Sequence, residues 1–501
     1  MPEADRVVRR RAYTPLLLTY FAACAASAQF VDSMIQFDAP VSAYLDFPQS
    51  DGNGDRIFVT GRTEDETNLA AVYRFDANHS LEPEPLVRTA VPSGLMFFDE
   101  GMLGDEPALL FAGPEGISRF DPRSGDIRLL FPFTSIYRTA SNMALQSFEF
   151  FVDVNGDGLD DIVLPDFDGL RVSLQNAAGF GESQLLQIPA RSRSSAGTST
   201  YEADELHRYD FNGDDRQDIA VIRDGEFQVF YALADGGFTS APAPIPSGLD
   251  VGEDSQAEAM QTLLSSDQSD TTISSISMVR DLNQDRLPDI VTYTVTSSGL
   301  FDKTSEYRVY FGSRDSERLR YGPQQNARIL SSGFQIGVSP VDSIPHNAAG
   351  VATFSVDFGL RQFLAAIFTR SFSLDVALHR VARYELDDTE PAFASSVKIS
   401  VDISTGSIRI PAMRFADFDG NGIVDFLSQS DEGELSVLLS ATDQFDASRG
   451  TREWQTTLPS DGTRVTTRDL TGDQRHDVIV TYGNGDSDEL QRTLRVLVST
   501  M

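Results

Sequence analysis

The chain is a succession of short apolar runs of strand length separated by polar turns. Ile162-Val-Leu, Ile219-Ala-Val-Ile and Val478-Ile-Val-Thr-Tyr are examples. They are rich in β-branched residues, which pack well on a pleated surface and form helices poorly. A second strand-like segment follows each run, such as Arg171-Val-Ser-Leu, Phe227-Gln-Val-Phe-Tyr, Tyr307-Arg-Val-Tyr-Phe or Leu435-Ser-Val-Leu-Leu. A turn with Gly or Asp then leads to another segment, as in Gly236-Gly-Phe-Thr-Ser-Ala-Pro. The pattern predicts an all-β protein of four-stranded antiparallel units.

Five of the polar turns share one spacing, with side-chain oxygens at alternate positions and Asp at the ninth, just before an apolar run. Their alternate positions are Asp153, Asn155, Asp157, Leu159 and Asp161; Asp210, Asn212, Asp214, Arg216 and Asp218; and Asp281, Asn283, Asp285, Leu287 and Asp289. The last two turns have Asp417, Asp419, Asn421, Ile423 and Asp425, and Asp469, Thr471, Asp473, Arg475 and Asp477. Calcium takes about six to eight oxygens, and alternate side chains of a tight loop can converge on one point. Position seven would offer its backbone carbonyl, and position nine would close the shell. Three carboxylates per loop would leave a charge near −1 around each ion. An EF-hand needs Glu at position twelve and flanking helices. Position twelve here is Leu164, Val221, Thr292, Ser428 and Val480, all in strand-like runs. Each loop therefore joins two strands, and five calcium ions are expected.

The loops begin at residues 153, 210, 281, 417 and 469, so the gaps are 57, 71, 136 and 52. The long gap holds two repeats, which places a degenerate one at Asp357, with Arg361 fifth and Ala365 ninth. Earlier units are expected at Asp99, with Pro107 in the closing position, and at Asp46, with Asp51, Asn53 and Asp55 in a lengthened loop. Eight units emerge, with seven as the alternative. Fixed-period repeats of short strands point to a propeller. The last unit lacks a fourth strand, and Ser33-Met-Ile-Gln-Phe37 is a spare. That N-terminal strand is expected to complete the last blade and close the ring.

These loops resemble the FG-GAP, or VCBS-type, repeats of integrin alpha-chain propellers and of many bacterial surface proteins. The likeness is close in five units and loose in three, from about residue 30 onward. It implies a single propeller of four-stranded blades binding calcium on one face. It does not imply a biological role, because fold does not fix function.

The N-terminus reads as a signal peptide over residues 1–28, with the propeller at 29–501. Arg6, Arg9, Arg10 and Arg11 precede the apolar Leu16-Leu-Leu-Thr-Tyr-Phe-Ala-Ala, and Ala26-Ser-Ala28 is a small-residue cleavage site. The single cysteine, Cys24, follows Phe21-Ala-Ala, which resembles a bacterial lipobox with Phe for the leading Leu. Lipidation at Cys24 is the alternative to cleavage after Ala28. Beyond the leader no apolar run is long enough for a transmembrane helix. An extracytoplasmic location is expected.

The formal charge is −35. Residues 1–28 carry four Arg, Glu3 and Asp5, so the remainder carries −35 − 2 = −37, and five calcium ions would bring it to −27. Such a surface repels nucleic acid and anionic lipid. Two stretches read as insertions: Ser247–Ser277, with a helical pattern over Ala257–Leu264, and Val338–Val351.

No Gly-x-Ser-x-Gly elbow and no His-Glu-x-x-His motif occur. His207 and His476 read as exposed loop residues. The one tryptophan, Trp454, argues against a sugar-stacking lectin. The sequence favours a recognition or adhesion module for a protein or glycan. The alternatives are a polysaccharide-active enzyme and a structural envelope component.

Overall fold

The computed structural model describes residues 30–500, apart from 48–55, 134–144, 342–347, 383–388, 403–406, 441–450, most of 253–269 and 357–368, and some isolated positions. The expected leader and Cys24 lie outside the described residues. No helix among those described is long and apolar enough to cross a membrane.

Eight antiparallel sheets follow one another along the chain as the blades of one propeller. Blade 1 comprises Val41–Phe47, Arg56–Arg62, Asn68–Arg74 and Val87–Ala90. Blade 2 comprises Phe97–Leu103, Glu106–Gly113, Gly116–Phe120 and Ile127–Pro132, with Gln146–Ser147 running parallel beside its first strand. Blade 3 has Phe151–Val152, Asp161–Asp166, Gly169–Ser173 and Gln184–Leu186; blade 4 has His207–Tyr209, Asp218–Arg223, Glu226–Phe230 and Ala243–Pro246. Blade 5 has Thr271–Arg280, Asp289–Gly299, Asp302–Tyr310 and Ala327–Ser332. Blade 6 has Phe334–Val341, Ala348–Val356, Ser371–Ala382 and Pro391–Asp402, with Ser407–Arg409 added at its edge. Blade 7 has Met413–Ala416, Asp425–Asp431, Glu434–Leu438 and Thr451–Gln455.

The second strand of each blade is the most apolar because neighbouring blades cover both of its faces. Asp161–Asp166 is buried at every position, whereas the outer strand Thr451–Gln455 alternates between exposed and half-buried. Aromatic rings fill the space between blades. Phe58 of blade 1 meets Phe98, Phe111 and Phe120 of blade 2, with centroids 5.2, 6.0 and 5.7 Å apart.

The last blade is made from both ends of the chain. Val465–Arg468, Asp477–Val480 and Thr493–Ser499 are joined by Phe30–Gln36, which pairs antiparallel with Thr493–Ser499 along its whole length. Phe30, Ile35 and Phe37 are buried there. Each contributes on the order of 1.5–3 kcal/mol through burial. The ring is also joined near its axis, where the Tyr44 and Thr466 hydroxyls meet and Arg468 meets Asp46.

Strand register corrects the three degenerate units. In blades 3, 4, 5, 7 and 8 the residue just before the loop pairs with its ninth residue, as Val152 does with Asp161 and Arg468 with Asp477. In blade 6 the same relation joins Val341 to Gly350. The equivalent loop is therefore 342–350, not Asp357–Ala365, and glycine stands where the closing carboxylate would be. The pattern misled because Asp357 also follows an apolar strand. In blade 1 Phe47 pairs with Arg56, so Asp46 lies in the strand opposite Ile57, and a buried Arg56 takes the ninth place. In blade 2 Asp99 lies mid-strand opposite Leu110, and the turn is the two residues between Leu103 and Glu106. The expected insertions shrink as well. Residues 271–277 and much of 338–351 are strand. Of Ala257–Leu264 only Ala259 is described; it is helical and buried in the core of blade 5.

Blades 5 and 6 are longer than the others. Blade 5 pairs its first two strands from Arg280–Asp289 out to Thr271–Ser297, whereas blade 4 stops three rows from its loop, at His207–Ala220. The extra rows run away from the loop end. The two blades thus project from the opposite face of the ring.

We predict that deleting residues 29–39 leaves Thr493–Ser499 an unpaired apolar edge that associates with other chains. Size-exclusion chromatography and thermal melting check this. A truncated protein that stays monomeric and melts unchanged would show that the strand is dispensable.

Candidate metal centres

The five loops are folded by their own carboxylates. The first Asp accepts the backbone N–H of position five in all five loops, at 3.0–3.3 Å. Its other oxygen accepts the N–H of position six, at 2.7–3.1 Å. Position five accepts the N–H of position seven, at 2.7–3.0 Å. This is the Asx-turn habit of Asp and Asn. It draws the odd-numbered side chains to one side of the loop.

The ninth residue does something different. Asp161, Asp218, Asp289, Asp425 and Asp477 are fully buried. Oδ2 of each accepts the N–H of position two, from Val154, Phe211, Leu282, Phe418 and Leu470 at 2.8–3.2 Å. Oδ1 of each accepts an N–H from the end of the third strand, at Gln175, Ala232, Gly312, Ser440 and Ser499, at 2.7–2.8 Å. One carboxylate thus joins the loop to both central strands. Burial, the largest cause, pushes these carboxyls up to about 7, and to about 6 for Asp218, against the lowering by their N–H donors. The negative charges at positions one and five, or one and three for Asp425, add to the rise. A nearby cation would oppose it.

Backbone conformation is shared as well. Positions four and six are left-handed in all five loops. Glycine takes this conformation without strain, as at Gly156, Gly158, Gly420 and Gly422. Gln284, Arg286, Asp215 and Gln474 take it with φ of 61°, 67°, 64° and 69°. Replacing the second glycine does not distort the loop.

The loops differ in how well they suit an ion. In blade 7 ligand oxygens of Asp417, Asp419 and Asp425 lie within 4.8 Å of one another, among the described residues the one acidic trio that does. In blade 8 the buried Thr471 hydroxyl lies beside Asp473, whose Oδ2 also takes Arg475 Nε at 2.9 Å. In blade 3 Asn155 Nδ2 donates to Asp157 Oδ2 at 3.2 Å. In blade 4 Arg216 lies on Asp214, and Arg314 Nη1 is 3.2 Å from Asp210 Oδ2. Burial raises Asp210, yet the Gly213 N–H and Arg314 outweigh it and hold that carboxyl below its ordinary value. The side chains of Leu159, Leu287 and Ile423 carry no donor, which leaves their positions only a backbone carbonyl to offer.

His207 and His476 are held in place by packing and by the backbone. His207 is buried, not exposed: it lies on the first strand of blade 4 with its ring edge-on to Phe227, and burial lowers it to about 4. His476 is half-buried and its ring Nδ1 is 3.2 Å from the Asp417 carbonyl. Trp454 is half-buried against Phe30, with centroids 6.0 Å apart. No sequence pattern marked the pairing of buried Asp99 with half-buried Glu100 on the first strand of blade 2. Asp99 accepts the N–H groups of Phe150 and Phe151, both at 2.8 Å, and so ties blade 2 to blade 3. Burial, with the Asp99 charge beside it, pushes Glu100 up to about 8.

No family model matches the chain, and no curated protein matches it in sequence. Solved structures with a similar fold include the Vibrio cholerae biofilm matrix protein Bap1, at 13% identity and a TM-score of 0.36, over 93% of this chain and 88% of that one. The Pseudomonas aeruginosa periplasmic gluconolactonase PpgL gives 14% and 0.28, over 83% and 96%. A putative 6-phosphogluconolactonase from Bacteroides uniformis gives 10% and 0.30, over 83% and 97%. Scores this low carry no argument about activity.

Two predictions follow from the carboxylates. Asp425→Ala would leave two buried N–H groups unpaired and should cost roughly 2–5 kcal/mol in denaturant unfolding, even with chelator present. Asp157→Ala, at an exposed position, should cost little in chelator. Equal losses for the two variants in chelator would contradict the structural role of position nine. Glu100 has the opposite sign from an ion-paired carboxylate. Its folded value exceeds its unfolded one, so stability falls as pH rises from about 4.5 to 8. Glu100→Gln should melt like the parent at pH 4 and progressively higher than it toward pH 8. An unchanged difference across that window would refute the assignment.

Proposed function

We propose that this protein is an extracytoplasmic calcium-binding propeller, of the FG-GAP or VCBS type, that acts in recognition or adhesion. The observation that carries the metal reading is the shared loop backbone. Five loops adopt one conformation, including left-handed turns at residues that are not glycine, and in blade 7 ligand oxygens of three carboxylates lie within 4.8 Å of one another. Asp153, Asn155, Asp157 and Asp161, with the carbonyl of Leu159, illustrate the ligand set that each loop would offer. Calcium bound there would neutralise clustered carboxylates and stiffen the ring.

The recognition reading rests on the opposite face. Where blades 5 and 6 project, Leu330, Ile336 and Leu364 are exposed, at 52%, 49% and 48%. Leu330 and Ile336 flank the turn at Gly333, and Leu364 lies in the connection between Ala348–Val356 and Ser371–Ala382 of blade 6. Exposed aliphatic side chains on a rigid projection suit a partner with apolar surface of its own, which favours a protein over a glycan. The acidic surface disfavours nucleic acid. A polysaccharide-active enzyme and a structural envelope component are the competing functions. No observation on the histidines supports the first.

Calcium should raise the melting temperature. An ion bound only by the folded state contributes about 3 kcal/mol per site at a hundredfold excess over Kd. Melting curves in millimolar calcium and in chelator check this. Coincident curves, with no metal found by elemental analysis, would end the calcium reading.

A further inference from the structure

Blade 4 departs from the other loops in having two guanidinium groups on its carboxylates, where blade 8 has one, Arg475 on Asp473. Arg216, at position seven, donates from Nη2 to Asp214 Oδ2, and its Nε donates to the Ala232 carbonyl at 3.2 Å. Arg314 comes from a hairpin of blade 5, Gly312–Asp315 with Arg318–Tyr321. Its Nη1 is 3.2 Å from Asp210 Oδ2, and its Nη2 donates to the Asp210 carbonyl. The guanidinium lies so close over Gly213 that a Cβ there would come within 2.4 Å of Nη1. Glycine at position four leaves room here for the arginine.

We propose that Arg216 and Arg314 take the place of calcium in the blade 4 loop, so that this loop is complete without an ion. This rests on the calcium reading of the other loops. The charges agree. Asp210, Asp214 and Asp218 with two guanidinium groups sum to −3 + 2 = −1, the same as three carboxylates with one calcium. The stereochemistry agrees too. Asp214 Oδ2 already takes donors from Asn212 Nδ2, at 2.9 Å, and from Arg216. Asp210 Oδ2 takes the Asp215 N–H, at 3.1 Å, and Arg314. An ion would have to sit about 2.3–2.6 Å from such oxygens, displacing both guanidinium groups. In blade 3 the corresponding Asp157 Oδ2 takes only the Asn155 amide. The substitution also does something an ion cannot. Arg314 belongs to blade 5, so it ties two neighbouring blades together in calcium-poor surroundings.

The test is the number of calcium ions per chain, by elemental analysis after equilibrium dialysis against micromolar calcium. Four proteins are compared: the parent, Asp157→Asn, Asp214→Asn, and the double variant Arg216→Gln/Arg314→Gln. Asp157→Asn should lose one ion, Asp214→Asn should lose none, and the double variant should gain one. Circular dichroism establishes that each is folded. Loss of an ion in Asp214→Asn, or no gain in the double variant, would overturn the proposal. No ion in any of the four would overturn the calcium reading together with it.

Discussion

One buried carboxylate per unit holds the repeating part of this molecule together. In five of the blades the ninth loop residue accepts one N–H from the loop and one from the end of the third strand. Two otherwise unpaired donors are satisfied at a point where three chain segments meet. The donor on the third strand always stands two residues beyond the partner of position ten, as Gln175 does beyond Ser173 and Ser499 beyond Leu497. Register, loop length and strand pairing are thereby set together. The cost is a negative charge out of water, visible in the raised carboxyls. A repeat of this kind gains from any cation held nearby.

Arginine brings positive charge to the carboxylates of two of the loops. In the calcium reading position seven would offer only its carbonyl, which leaves its side chain free to vary. Leu287 packs against the core shared by blades 4 and 5, whereas Arg216 and Arg475 fold back onto the carboxylate two residues earlier. Contacts across blade boundaries reinforce the loops. Arg314 reaches from blade 5 to blade 4, and the His476 N–H donates to the Asp417 carbonyl at 2.7 Å. The long blades 5 and 6 project on the other side.

Much of this was legible in the sequence. Asp and Asn at alternate positions followed by β-branched runs specify a loop between two strands, so the five loops and the all-β class follow directly. The eight blades and the closing strand follow from counting strands, because a last unit short of one strand needs a spare elsewhere. The rest depended on pairing, which a one-dimensional pattern does not contain. Asp99 looks like a loop opening and is a mid-strand residue, and the blade 6 loop closes at Gly350 rather than after Asp357. Asp46 looks like a ligand and meets Arg468 instead. The two hydrogen bonds of Asp161 or Asp425 were hidden because position nine is also where a metal ligand belongs. The role of Arg314 was invisible, since its partner Asp210 lies 104 residues away.

On this reading position nine, rather than an ion, shapes these loops. Amide hydrogen exchange of the calcium-free protein tests it at the five N–H groups of position two, on Val154, Phe211, Leu282, Phe418 and Leu470. With chelator present, these amides should stay protected to the level of the neighbouring second strands, because their acceptor is the buried carboxylate. Rapid exchange in chelator, slowed only when calcium is added, would show that the metal builds the loop and would contradict this account.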